Sequence, residues 1–232
     1  MPWKQNAIRI HGMERNNKMI ESNEVFSTMH KTGIIPVITL ENHEDAEPLA
    51  KALASGGINI AEITYRTKAA SKSIALLREK CPDILAGAGT ILTMEQAKEA
   101  VECGARFIVS PGFSPDIAEY CMSKGIAVIP GVFTPSEITL AARMGIKVQK
   151  LFPAELAGGP AFLDAMKGPF PDIKFIPTGG ITAENAEIYS KRKNVLAVGG
   201  SWIVRKEFIA ERKWDIITAE AEKALILTAH KN

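Results

Sequence analysis

Eight short apolar runs, the even spacing between them and the amphipathic stretches that fill the gaps predict an α/β fold, a parallel (βα)8 TIM barrel with an N-terminal extra helix. The runs begin near residues 34, 59, 84, 106, 127, 147, 174 and 195, a beat of 20 to 27 residues. Each is bounded by Gly, Pro, Asn or Asp and is too short for a free-standing buried helix, which favours strands. Near-continuous apolar strands suit a parallel sheet, whose two faces are both covered. An open doubly wound sheet is the competing arrangement of the same units.

Residues 19–32 read as the extra helix, closing the barrel bottom. The strands follow at GIIPVITL (33–40), INIAEITYR (58–66), DILAGAGTI (83–91), ARFIVSPG (105–112), IAVIPGV (126–132), KVQKLFP (147–153), KFIPTGG (174–180) and VLAVGGSW (195–202). Between them lie helical patterns such as HEDAEPLAKALASGG, TMEQAKEAVECGA, SPDIAEYCMSKG, TPSEITLAARMG and TAENAEIYSKRK. Thr93, Ser114, Thr134 and Thr182 stand where N-caps belong, and Gly57, Gly104, Gly125 and Gly145 just past helix ends. Residues 214–230 read as the last outer helix. Pro36, Pro111, Pro130, Pro153 and Pro177 fall within or beside strands, where a missing N–H is costly, and are expected at strand ends or bulges.

Composition bounds the function. The 232 residues are 46% hydrophobic and 23% charged, an ordinary globular balance. A chain of this length buries about 70% of its unfolded surface, so its core needs no disulfide or metal staple. Lys and Arg number 28 against 26 Asp and Glu, and a net charge of +2 without segregation argues against nucleic acid as a partner. No apolar run approaches the ~18 residues of a membrane span. Cys81, Cys103 and Cys121 are an odd, scattered set without a CxxC pair, which reads as reduced, buried thiols of a cytoplasmic protein. Residues 1–18 are polar and lack the apolar core of a secretion signal. They are expected to be a flexible extension, Met13 and Met19 offering later starts, ahead of a single domain at 19–232.

Chemistry in such a barrel belongs at the C-terminal ends of the strands. In strand two, alternation places Glu62, Thr64 and Arg66 on one face and Ile63 and Tyr65 on the other. A structural Glu–Arg pair across the interior is the plainer reading. Strand three ends in Gly87, Ala88, Gly89 and Thr90, small residues that allow close approach. In strand six, Lys147 opens at the rim, where a surface lysine is expected. Lys150, of opposite orientation, falls mid-strand. A lysine there is costly unless paired or deprotonated, and a neutral amine attacks carbonyls; a stabilising ion pair to Glu62 is the alternative. Strands seven and eight end in Thr178-Gly179-Gly180 and Gly199-Gly200-Ser201. Their N–H groups, and a helix start after the first, suit a phosphate, unless the glycines serve turns alone. His11, His30, His43 and His230 form no metal-ligand spacing.

The segments EITYRT, GAGT, VSPG, PGVFTP, KLFPAE, PTGGI and GGSW occur in the order and spacing of the 2-keto-3-deoxy-6-phosphogluconate / 4-hydroxy-2-oxoglutarate aldolase family, which the chain resembles over residues 19–228. That resemblance implies a class I, Schiff-base aldolase on a (βα)8 barrel, a homotrimer needing no cofactor or metal. It implies Lys150 as the Schiff-base nucleophile and Glu62 as the general acid/base. Arg66 and Thr90 would hold the carboxylate of the 2-oxo acid, Pro111 and Phe152 would line the pyruvyl pocket, and Thr178, Gly179, Gly180, Gly200 and Ser201 would take a distal phosphate. The substrate would be a 2-keto-3-deoxy-6-phospho sugar acid or 4-hydroxy-2-oxoglutarate, giving pyruvate with glyceraldehyde 3-phosphate or glyoxylate. Phosphogluconate, phosphogalactonate and hydroxyglutarate types all stay open. Tyr65 departs from the family's smaller aliphatic residue, but on the face away from Glu62. The rival readings are a sugar-phosphate isomerase or epimerase on the same barrel, and a non-catalytic phosphate-binding barrel.

Overall fold

The computed structural model describes residues 24–229. Residues 24–32 are helical (α1) and bury Val25 and Met29. The extension at 1–18, the expected helix start at 19–23 and the end of the last expected helix at residue 230 lie outside the described residues. After α1 come β1 (Ile34–Ile38), α2 (Ala46–Ser55), β2 (Ile60–Thr64), α3 (Ala70–Lys80), β3 (Leu85–Gly89), α4 (Met94–Cys103), β4 (Phe107–Val109) and α5 (Pro115–Lys124). The second half holds β5 (Ala127–Ile129), β6 (Gly131–Val132), α6 (Pro135–Arg143), β7 (Val148–Leu151), α7 (Gly159–Met166), β8 (Lys174–Pro177), α8 (Ala186–Ser190), β9 (Val198–Gly200), α9 (Lys206–Ala210) and α10 (Trp214–Thr228).

Strands β5, β4, β3, β2, β1 and β9 lie side by side in that order, and β6, β7 and β8 form a second run. Every strand pairing is parallel. Parallel bridges from Phe175 to Val195 and from Thr178 to Gly199 connect the β8 end of the second run to β9. The result is a curled parallel sheet with helices between successive strands. Pro130 alone separates β5 from β6: it has no N–H for the ladder, while its carbonyl still accepts from the Lys150 amide at 2.9 Å. Pro177 closes β8 and Pro111 and Pro153 follow strands, as expected. Pro36 does not; it sits inside β1, aligned with Gly200 of β9.

All five residues of β2 are buried, because helices cover one side and facing strands the other. Across β1, β2 and β3 the residues Val37, Glu62 and Gly87 are aligned, and across β6, β7 and β8 so are Gly131, Lys150 and Ile176. A Cβ at Gly87 would overlap the Phe107 ring, which fills the interior beside that row. Outside, Thr218 of α10 donates to the Ala52 carbonyl of α2 at 2.9 Å, which docks the last helix against an early one.

Helix ends follow the sequence with exceptions. Thr93 with Gln96 and Thr134 with Glu137 form capping boxes that satisfy exposed N–H groups at both helix starts. Ser114 holds the cap position of α5 but turns its hydroxyl to Asp116. The cap position of α8 is Asn185, three residues beyond Thr182, and the Asn185 carboxamide accepts from the Thr182 N–H. Gly104 and Gly125 take the left-handed conformation that ends α4 and α5.

Candidate active site

Alternation along β7 decides which lysine enters the interior. The carboxamide of Gln149 points outward and donates to the Ile138 and Ile146 carbonyls at 3.3 and 3.0 Å. Lys150 therefore points inward, while Lys147, before the strand, is exposed. On β2 the same parity turns Glu62 inward. The two side chains are 5% and 4% exposed, and Lys150 Nζ stands 3.7 Å from Glu62 Oε1. Their strands are not sheet neighbours, so the contact crosses the interior.

The carboxylate has room because residue 89 is glycine; a Cβ there would overlap Glu62 Oε1. That oxygen is buried and makes no hydrogen bond among the described residues. At 3.7 Å from Lys150 Nζ it is beyond direct hydrogen-bond reach but within ion-pair distance. Phe152, two residues on from Lys150, places its ring centroid 5.0 Å from Nζ, a cation–π contact.

Phe152 also borders a cavity of about 500 Å³ whose walls include Arg66, Thr178, Gly179, Gly180, Gly200 and Ser201. Seven of the eleven residues singled out in the sequence thus line one cavity, and the Lys150–Glu62 pair adjoins it through Phe152. Arg66 is exposed and makes no ion pair among the described residues. Thr90 and Pro111 are half-buried and outside the cavity wall. Thr90 follows β3 directly and holds φ at 58°, a left-handed conformation that is strained for a β-branched residue. The Pro111 carbonyl lies against Gly131, the neighbour of Lys150 across β6 and β7. Thr64, on the Glu62 face, is used structurally: its hydroxyl bonds the Ile38 carbonyl and the Thr39 hydroxyl at 2.9 and 2.8 Å.

Gly179 and Gly180 both have positive φ, 94° and 82°, and no acceptor among the described residues takes their N–H groups or that of Ser201. The expected helix start is not there: α8 begins only at Ala186, so the anion-binding capacity of this turn rests on its own N–H groups. Sequence reasoning missed two cations on the same cavity, Arg205 and Lys206. They follow GGSW after Ile203 and Val204, and a basic pair close behind a glycine turn was the available signal. It also missed that Gly89 seats Glu62. Tyr65 faces away from the site as parity requires, its phenol pushed up by burial and by Glu99 and Cys103 on α4.

The family model described as KDPG and KHG aldolase matches residues 25–220. The 2-dehydro-3-deoxy-phosphogluconate aldolase of Treponema pallidum is 45% identical over 201 residues, 87% of this chain and 96% of that protein. The crystal structure of KDPG aldolase from Legionella pneumophila, with pyruvate captured at low pH as a covalent carbinolamine intermediate, is 43% identical with a TM-score of 0.83, covering 85% of this chain and 96% of that one. The 2-keto-3-deoxy-6-phosphogluconate aldolase of Zymomonas mobilis with 3-phosphoglycerate is 36% identical with a TM-score of 0.80, covering 89% and 95%.

Proposed function

The chain belongs to the KDPG and KHG aldolase family, and from that premise we propose how its own residues carry the reaction. The protein is a class I aldolase, a carbon–carbon lyase that works through a lysine Schiff base and releases pyruvate and an aldehyde. The rival isomerase and phosphate-binding readings find no support among its relatives. The observation that carries our assignment of roles is the buried Lys150–Glu62 pair, 3.7 Å apart and joined to the cavity through Phe152.

In this reading Lys150, its proton passed to Glu62 through a bridging water, attacks the C2 carbonyl of the 2-oxo acid. Glu62 returns that proton to the carbinolamine hydroxyl, which leaves as water, and an iminium ion remains. Glu62, again a carboxylate, takes the proton of the C4 hydroxyl. The C3–C4 bond breaks, its electron pair moves into an enamine, and the aldehyde departs. Glu62 returns that proton to the enamine at C3, and addition of water at C2 releases pyruvate and the free amine. Arg66 pairs bidentately with the substrate carboxylate, assisted by Thr90, and orients the carbonyl toward the amine. Pro111 and Phe152 border the pyruvyl group. Thr178, Gly179, Gly180, Gly200 and Ser201 take the distal phosphate of a 2-keto-3-deoxy-6-phospho sugar acid, and the unclaimed N–H groups and the nearby Arg205 and Lys206 favour that over the smaller 4-hydroxy-2-oxoglutarate.

The finer architecture follows the same reading. Taking β5 and β6 as one strand interrupted at Pro130 leaves eight strands, and the Thr178–Gly199 bridge supports closure into a (βα)8 barrel with the N-terminal helix beneath it. We read residues 19–232 as one domain. Exposed Leu92, Phe133, Leu140 and Leu156 support burial between copies in a homotrimer. The free thiols of Cys81, Cys103 and Cys121 support a cytoplasmic location, and among the described residues no helix is long and apolar enough to cross a membrane.

Borohydride reduction in the presence of pyruvate, followed by peptide mass mapping, tests the assignment. The expected result is one added lactyl group on the peptide containing Lys150 and none in Lys150→Ala. An adduct on another lysine overturns it.

A further inference from the structure

Three residues that no step of the reaction uses converge behind the glycine turn. Glu155, from the KLFPAE segment, donates its backbone N–H to the Gly179 carbonyl at 3.2 Å. Its side chain packs so closely on Gly180 that a Cβ there would overlap it. Its carboxylate accepts from the hydroxyl of Tyr189 and, at 3.5 Å, from the Asn185 carboxamide. Asn185 also donates to the Gly180 carbonyl at 2.9 Å and accepts from the Thr182 N–H at 2.8 Å. Both carbonyls of the turn are therefore held from behind, and the N–H groups of Gly179 and Gly180 are left for the cavity.

We propose that Glu155, Asn185 and Tyr189 are positioning residues that set the affinity of the Gly179–Gly180 turn for the phosphate of the substrate without touching it. The inference rests on the phosphate reading above. Two consecutive glycines at positive φ have access to many other conformations, so a turn that binds an anion through its N–H groups needs its carbonyls fixed. Tyr189 is fully buried within α8, and its phenol is pushed up by burial and by the Glu155 carboxylate, so it remains a hydroxyl donor across the working pH range. A carboxylate accepting from two donors makes the stronger class of hydrogen bond, which suits a strut under a turn of two glycines.

The test compares Tyr189→Phe and Asn185→Ala with the wild type in the full-length enzyme, using 2-keto-3-deoxy-6-phosphogluconate, 4-hydroxy-2-oxoglutarate and inorganic phosphate as a competitive inhibitor. Each variant is expected to raise KM for the phosphorylated substrate and the inhibition constant of phosphate by about fivefold, the binding equivalent of roughly one hydrogen bond. Both kcat and KM for 4-hydroxy-2-oxoglutarate, and the rate of pyruvate trapping on Lys150, are expected to stay at wild-type values. A uniform loss with both substrates, or no change with either while phosphate still competes in the wild type, overturns the positioning role. Absence of competition by phosphate in the wild type overturns the phosphate reading itself, and the positioning role with it.

Discussion

Gly89 on β3 and Glu62 on β2 share a single space: the Glu62 carboxylate occupies the volume that a side chain at residue 89 would fill. Residue 89 is aligned with Thr64, two positions beyond Glu62, so the carboxylate leans along its strand toward the C-terminal end of the sheet. It reaches Lys150 from there at 3.7 Å. The acid is placed by the absence of an atom on the neighbouring strand as much as by its own strand.

Gly89→Ala is therefore expected to push the carboxylate off Lys150. One methyl group forced into a packed interior costs about 1–3 kcal/mol, and misplacement of the acid should lower kcat on the order of a hundredfold. Urea unfolding and pyruvate release measure the two effects. A stable variant with full turnover would show that the carboxylate works from another position.

Glu62→Gln keeps the shape of the side chain and removes its proton transfer. The loss in kcat is expected to be on the order of 10²- to 10⁴-fold. Pyruvate should still be trapped on Lys150 by borohydride, only more slowly, since the nucleophile is intact. Unchanged turnover would assign the acid/base role elsewhere.

Thr90 carries backbone strain at the end of β3, with φ at 58°. Asn tolerates that conformation better, so Thr90→Asn should raise unfolding stability by about 1 kcal/mol. The same change is expected to raise KM through the substrate carboxylate. Stability and KM both unmoved would mean that residue 90 contributes neither strain nor binding.

The capping box of α6 supplies a pH dependence distant from this chemistry. Burial raises the Glu137 carboxyl, but the N–H groups of Phe133 and Thr134 and the Thr134 hydroxyl outweigh it and hold the group below the ordinary carboxylate range. A folded-state value that is depressed contributes stability above the unfolded value and loses it as pH falls through the folded one. Glu137→Gln should therefore cost roughly 1 kcal/mol at neutral pH and progressively less in acid. A penalty independent of pH in denaturant titrations would rule out the carboxylate as its source.

Much of this was legible in the chain. The beat of apolar runs located every strand, since a buried parallel strand must be apolar on both faces, and Lys150 and Glu62 stood out as charges where the pattern required Val, Ile or Leu. Glycines after helices marked most of the ends. What misled was local: the helix after β8 starts at Ala186 and not just after Thr182, and Pro36 lies inside β1 although proline was expected only at strand ends or bulges. Arg205 and Lys206 were missed because a basic pair at a helix start normally faces solvent, and only the tertiary structure brings them to the wall of the cavity that Gly179 and Gly180 also line.

Residue type and period, read along the chain, determined the alternation of strands and helices and the two buried charges, because the cost of burying a group depends on its chemistry wherever it is buried. Tertiary structure decided which distant atoms meet: the lysine with the acid across the interior, glycine 89 with the carboxylate it admits, Tyr189 with Glu155 behind the turn. Those contacts depend on register and curvature between strands and helices far apart in the chain, and no periodicity within a segment encodes a distance to another one.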